Sequence, residues 1–500
     1  MKRRLFCQSA AGMTAALALL PHSPHLAATM LDIDRDLEAI SGSGKELTLG
    51  RSQVQSLADG LRGNLLLPGN PVYDTARLVR NASIDKHPAL IVQPSGAADV
   101  GLAIDFAREN NIIAAVKCGG HSYSGQSTCN GGMMIDLSLF RHVRVNPSSQ
   151  KAYVSGGSLL GAMDHETMSH NLVTVAGSVS HTGVGGLTTG GGFGRLARRY
   201  GLALDNVSAL DIVSADGKLR HATAEQNADL YWGARGAGGN FGVVTGFEFQ
   251  LHPMSRRVLA GNFVYPIERL RDVLDFYAEF TLQAPDELAT DLIAAYPSPG
   301  KPAVVILAFC YSGDPSRADQ AMGAVKKLGK PIAGEIKPVD YVALQRSGDS
   351  NAPRVAATYL KGGFTSEITP QLIDTLVDVM RPHPRRRSTL LFQQAGGAIS
   401  RVATDATAFA HRYAQHNMLV TMSWAPTESP DEHVSAIKST WRQLQPFTHG
   451  FYVNEADDDN APMISKNYQG NYARLLGIKK RYDPTNIFRL NANIDPSNST

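Results

Sequence analysis

From residue 88 onward, hydrophobic and polar positions fall into blocks that read as alternating strands and helices. Ala89-Leu90-Ile91-Val92 is a short apolar run of β type, and Ala97 to Asn110 carries Val100, Ile104 and Ala107 at helical spacing. Ile112 to Val116, Met133 to Leu137, Ala152 to Val154 and Phe247-Glu248-Phe249 predict further strands, and Leu159 to Asn171 a helix. After Pro253 the alternation lengthens. Ala303 to Phe309 and Thr389 to Phe392 read as strands, while Pro315 to Leu328, Gln371 to Met380 and Thr404 to His416 read as helices, which together predict a separate sheet backed by helices. Residues 29 to 70 are mixed and polar, and read as a leader with short helices.

Composition changes this picture little. Five hundred residues, 43% hydrophobic and 19% charged, suffice for two domains with large cores. The net charge is +3 and no basic run is longer than that of Arg385-Arg386-Arg387, so no nucleic-acid partner is expected and a small-molecule site is the default. The first residues do change it. Met1-Lys2-Arg3-Arg4-Leu5-Phe6, an apolar stretch from Ala10 to Leu20 and small residues at Ala27 and Ala28 read as an export signal over 1–28. Its paired arginines are similar to a twin-arginine signal, the general secretory route being the alternative, and either predicts a periplasmic or secreted protein without a stable membrane span. Beyond Cys7, the cysteines Cys118, Cys129 and Cys310 are odd in number and form no disulfide framework or zinc spacing.

Glycine carries the strongest local signal. Val116-Lys117-Cys118-Gly119-Gly120-His121-Ser122-Tyr123-Ser124-Gly125 follows a predicted strand and puts an imidazole on a glycine-built turn. Gly177-Ser178-Val179-Ser180-His181-Thr182-Gly183 opens a second segment, which holds seven glycines between 183 and 194. A third runs Arg235-Gly236-Ala237-Gly238-Gly239-Asn240-Phe241-Gly242-Val243-Val244. Such loops concentrate backbone N–H donors without bulky side chains, which suits an anionic ligand. None has the spacing of a P-loop, and a Rossmann fingerprint is not met. Asp457-Asp458-Asp459 reads as a solvated acidic turn, and no metal site is expected.

These segments, together with Arg198-Arg199-Tyr200-Gly201-Leu202-Ala203-Leu204-Asp205-Asn206, Leu230-Tyr231-Trp232-Gly233-Ala234-Arg235, Gly396-Gly397-Ala398-Ile399-Ser400-Arg401 and the stretch from Asn471 to Ile494, occur in the order of a known family. The chain resembles the FAD-linked oxidases of the vanillyl-alcohol-oxidase fold, in the berberine-bridge-enzyme-like branch. The resemblance implies an α+β fold: a two-part FAD-binding domain of that type with an inserted α/β substrate domain, an antiparallel sheet backed by helices. Its parts would be residues 60–255 for FAD, 256–450 for substrate, and 451–500 as the berberine-bridge-like segment completing the FAD domain.

The resemblance also implies roles. Lys117, Cys118, Gly119, Gly120 and Ser122 would surround the FAD pyrophosphate, with His121 bonded to the flavin 8α-methyl. Gly177, Ser178, Thr182, Gly183, Gly185, Gly186, Gly190, Gly191 and Gly192 would cover the flavin and its ribityl chain. Gly242 and Val244 would flank the adenine or diphosphate, and Asn491 and Asn493 would approach the isoalloxazine edge. Many relatives add a second link through a cysteine, and Val179 occupies that position here, so a single covalent bond is expected. Tyr468 matches a tyrosine that relatives use as base, with Tyr123, Tyr452 and Gln394 as second choices. The expected reaction is oxidation of an alcohol, sugar or amine-type small molecule by hydride transfer to FAD, with O2 accepting the electrons and giving H2O2. Thr182 lies near the position that controls oxygen access in relatives. An FAD-dependent dehydrogenase or secondary-metabolite tailoring enzyme that reacts poorly with O2, and a noncatalytic binding protein retaining the fold, are the alternatives.

Overall fold

The computed structural model describes residues 33–297, 301–349, 354, 356–381 and 388–499. The export reading, on residues 1–28, lies outside them. Three principal sheets organise the chain. In the first, Asn64–Leu66, Leu90–Gln93, Met133–Asp136 and Ala114–Lys117 lie side by side in that order, the last three mutually parallel. The strand Leu90–Gln93 is buried at every position, as a parallel strand covered on both faces must be. Helix Ala97–Glu109 makes the crossover, sinking Val100, Ile104 and Ala107 into the core as their spacing predicts.

A second sheet, fully antiparallel, orders Leu219–Ala222, Val207–Val213, Val243–Gln250, Lys151–Ser155 and Val143–Asn146. The third has seven antiparallel strands, with Arg257–Pro266, Val304–Tyr311, Leu288–Ala295, Ser388–Gln394 and His416–Trp424 at its centre and Ile336–Asp340 and Ala357–Thr365 at its edges. Ser388–Gln394 alternates buried and half-buried positions, so one face takes the helices Leu270–Gln283, Pro370–Val379 and Asp431–Leu444. The expected α+β architecture with a helix-backed antiparallel sheet is thus present. Among the described residues no helix is long and apolar enough to cross a membrane.

Two local expectations fail and a third holds in part. Residues 404–415, read as helical, form an irregular buried segment whose polar groups bond elsewhere: Trp232 Nε1 donates to Asp405 O, and the Ala408 amide donates to Arg235 O. Arg412, 1% exposed, forks onto both oxygens of Asp205 at 2.7 and 2.8 Å. Tertiary partners outweigh helical spacing there. Residues 315–328 break into a 3-10 turn, a short helix Ala318–Met322 and another 3-10 stretch, with only Val325 and Leu328 buried to anchor them. The polar leader holds an expected short helix, Arg51–Gly60, whose Val54 and Leu57 join the first sheet's core, and adds an unexpected hairpin, Leu37–Ile40 with Glu46–Leu49.

The C-terminal tail is stitched to the third glycine loop. Asn240 donates to Ala492 O and accepts from the Ile494 amide, while the buried Lys479 Nζ bonds Asn240 O, Phe488 O and Asp483. Asp483 in turn accepts from the amides of Ile487 and Phe488. These bonds satisfy each charged atom and fix the turn that carries Asn491.

Candidate active site

Five loops meet at a cleft of roughly 1540 Å³ of empty space, its open mouth included. The first leaves the strand Ala114–Lys117 and contributes Cys118 to Tyr123, and the second contributes Thr182, Gly183, Gly185 and Gly186. Gly242 and Val244 come from the third, Tyr452 to Glu455 from the fourth, and Asn491 from the stitched tail. Segments 300 residues apart in sequence therefore form one wall.

The structure places several expected site residues off the cleft. Lys117 is buried beneath the loop, its Nζ bonded to Ala76 O and 3.6 Å from Asp136. Gly177 and Ser178 turn their carbonyls to Gln345 and Arg195. Gly190 and Gly191 serve close packing instead: a Cβ on Gly190 would stand 2.1 Å from Asn454 Oδ1, and one on Gly191 2.9 Å from the Tyr452 ring. Gly192 donates its amide to Tyr452 Oη. Asn493 does not line the cleft.

Among the tyrosines, Tyr468 lies in the core, 2% exposed, with its hydroxyl buried and unpartnered among the described residues. Gln394 is structural, accepting from the Thr290 amide at 2.8 Å and donating to Thr281 O at 2.9 Å inside the seven-stranded sheet. Tyr123 lines the mouth and is 44% exposed. Tyr452 stands inside: its oxygen accepts from the Gly192 amide at 2.8 Å and from Asn454 Nδ2 at 2.7 Å. Burial raises its phenol above the ordinary value of about 10, against the pull of Gly192.

Glu455 was not singled out by sequence. It follows Tyr452 by three residues in a 3-10 turn, Val453–Glu455, the spacing that puts both side chains on one side of such a turn. Burial pushes its carboxyl up to about 8, with Asn417 Nδ2, at 3.2 Å, pulling the other way. A carboxyl so perturbed in a cleft is a proton-transfer group in waiting. In the acidic turn beside it Asp458 and Asp459 are exposed as expected, while Asp457 is half-buried; Lys361 pairs with Asp457 and Asp459 at 2.8 and 2.9 Å, and Lys438 with Asp459 at 2.8 Å.

His121 lines the cleft, and its Nε2 lies 2.8 Å from Nδ1 of His181, a residue of the second glycine segment. Burial, then the neighbouring His181, lower the His121 ring to about 3, so it is neutral. Cys118 and Cys129 are free and apart, bonding Ser158 O and Met133 O respectively. Burial raises the Cys118 thiol to about 11, which leaves no thiolate at this wall.

Residues 88–223 match the model of an FAD binding domain, and residues 451–495 match that described as berberine and berberine like. An FAD-linked oxidoreductase of Dictyostelium discoideum is 31% identical, the match covering 89% of this chain and 97% of the relative. The chain belongs to the berberine-bridge-like FAD-linked oxidoreductases. A second relative, (R)-6-hydroxynicotine oxidase of Paenarthrobacter nicotinovorans, is 26% identical over 88% of this chain and 98% of its own. The crystal structure of 6-hydroxy-D-nicotine oxidase from Arthrobacter nicotinovorans superposes with a TM-score of 0.80, at 25% identity, over 87% of this chain and 98% of that one.

This FAD-linked oxidoreductase has a cleft that fits its cofactor. A Cβ on Gly186, Gly238 or Gly239 would meet no atom within 4 Å, so the floor is open where these glycines line it. Asn491 Oδ1, on the same wall, is buried without a partner among the described residues and is free to accept from a ligand N–H or O–H. The enzyme is an FAD flavoprotein. Its reaction is an oxidoreduction.

Proposed function

We propose that the enzyme is an oxidase: it oxidises an alcohol, sugar or amine-type small molecule, holds FAD by one covalent bond at His121, and passes the electrons to O2. The observation that carries the reading is the convergence of His121, Tyr452 and Glu455 on one glycine-floored cleft. Bound FAD supplies the hydride acceptor. The protein's part is the proton. Glu455 takes the O–H or N–H proton of the substrate, since its raised pKa matches that of a base working near neutral pH. Tyr452 cannot be that base while burial holds it protonated, and its oxygen is already fixed by two donors, so its own O–H orients the substrate heteroatom. Asn491 and the glycine loops hold the cofactor.

Single attachment is supported by Val179, which has no thiol, and by the high pKa of Cys118. The likeness to (R)-6-hydroxynicotine oxidase supports including amines in the proposed substrate range. Export, read from residues 1–28, completes the proposal, because a covalent link keeps the cofactor where it cannot be replaced. Mixing anaerobically reduced enzyme with air-saturated buffer tests the acceptor. Rapid return of the 450 nm flavin band with one H2O2 per flavin is expected, and reoxidation slower than turnover with an artificial acceptor would make it a dehydrogenase.

A further inference from the structure

His121 and His181 form the inner part of a row of three side chains. Their ring centroids are 4.9 Å apart with planes 29° from parallel, and the Nε2 to Nδ1 distance of 2.8 Å is that of an N–H···N bond. On the far side of His181, Nε2 is buried with no hydrogen-bond partner among the described residues. Asp349 Oδ1 stands 4.0 Å from it. Asp349 is held in place by the Ser180 amide at 2.9 Å and Ser180 Oγ at 2.5 Å. Those bonds and His181 keep its carboxyl below the usual range against the effect of burial.

The row decides which nitrogens carry protons. A neutral imidazole has one N–H. The Asp349 carboxylate favours that proton on Nε2 of His181, which leaves His181 Nδ1 as an acceptor. His121 must then donate from Nε2, and its Nδ1 is left with the free lone pair. Without this order His121 could equally carry its proton on Nδ1 and be no nucleophile.

We propose that His181 and Asp349 form a proton relay that builds the covalent bond between His121 and the flavin. The inference rests on the reading of His121 as the attachment point. His121 Nδ1 supplies the electron pair of the new bond to the flavin 8α carbon as one C–H bond there breaks. The C–H proton goes to solvent and its electron pair stays on the cofactor. His121 is cationic until its Nε2 proton passes to His181 Nδ1, and the charge on His181 is then offset by Asp349. Burial and the nearby Arg80 disfavour a lasting charge on His181, so the ring returns its proton to solvent and resets. The two electrons left on the cofactor are taken by dioxygen, which with the two released protons gives one H2O2. His181 is a positioning and relay residue for assembly of the holoenzyme, separate from substrate turnover.

The test follows attachment directly. Full-length wild type, His181→Ala, Asp349→Asn and His121→Ala are loaded with FAD in air, precipitated with acid at intervals, and the flavin in pellet and supernatant is measured. Wild type should hold flavin in the pellet on a His121 peptide, and His121→Ala should release all of it. His181→Ala should still bind FAD and melt near the wild-type temperature, yet attach it about 10²-fold more slowly. Added imidazole should restore its rate in proportion to concentration, a rescue that a merely structural role would not give. Asp349→Asn should be slowed about tenfold. Attachment at the wild-type rate in His181→Ala, failure of imidazole to speed it, or flavin on the His181 peptide would overturn the relay. Release of flavin by the wild type would instead overturn the covalent reading itself.

Discussion

Gly119 and Gly183 cross backbone against backbone: a Cβ on Gly119 would stand 2.4 Å from the Gly183 nitrogen, and one on Gly183 2.4 Å from the Gly119 nitrogen. The crossing joins the loop of His121 to the second glycine segment and so sets the His121 to His181 distance. Gly183→Ala should force the loops apart and abolish FAD retention, read as loss of yellow colour after gel filtration. Gly186→Ala is the control. Its Cβ meets nothing within 4 Å and it lies in the helix Val184–Gly190, so apoprotein stability should rise by about 0.5–1 kcal/mol while FAD binding weakens.

Glu455 predicts a pH profile. The base must be ionised to accept a proton, and burial raises it to about 8, so turnover should climb with pH through about 8 rather than through the ordinary carboxylate range. Glu455→Gln should remove that limb and lower kcat by roughly 10²–10⁴-fold, with FAD still bound. A profile flat from pH 6 to 9 in the wild type would contradict the assignment.

Tyr452→Phe keeps the ring that packs edge-on to Phe193 but removes the acceptor of the Gly192 amide. An unpaired buried N–H costs about 1–3 kcal/mol, which should appear as a lower unfolding midpoint in urea. KM should rise together with a fall in kcat if the hydroxyl orients substrate.

Arg412→Met leaves Asp205 with its carboxylate 9% exposed and without its forked partner. Removing one member of a buried pair costs roughly 3–5 kcal/mol, so this variant should be among the least stable, by denaturant midpoint, without touching the cleft.

Arg412 also marks the limit of what the sequence could tell. Thr404 to His416 has the spacing of a helix, but its backbone partners are Trp232 and Arg235, far away in sequence, and local periodicity carries no information about them. By contrast Val100, Ile104 and Ala107 announced a helix because one core face is all that helix needs. Within the site, His121 and the glycine loops were legible because backbone approach demands glycine. Glu455 was not: an isolated glutamate looks like any surface carboxylate until folding buries it beside Tyr452 and Asn417. Tyr468 and Gln394 had motif neighbours that pointed to the site, yet packing turned their side chains into the cores.

The central claim is that one histidine alone bonds the cofactor. Acid precipitation of the purified enzyme, followed by digestion and mass spectrometry of every flavin-bearing peptide, tests it. The account predicts flavin in the pellet, on the peptide containing His121 and no other. Flavin freed into the supernatant, or found on a second residue, would contradict it.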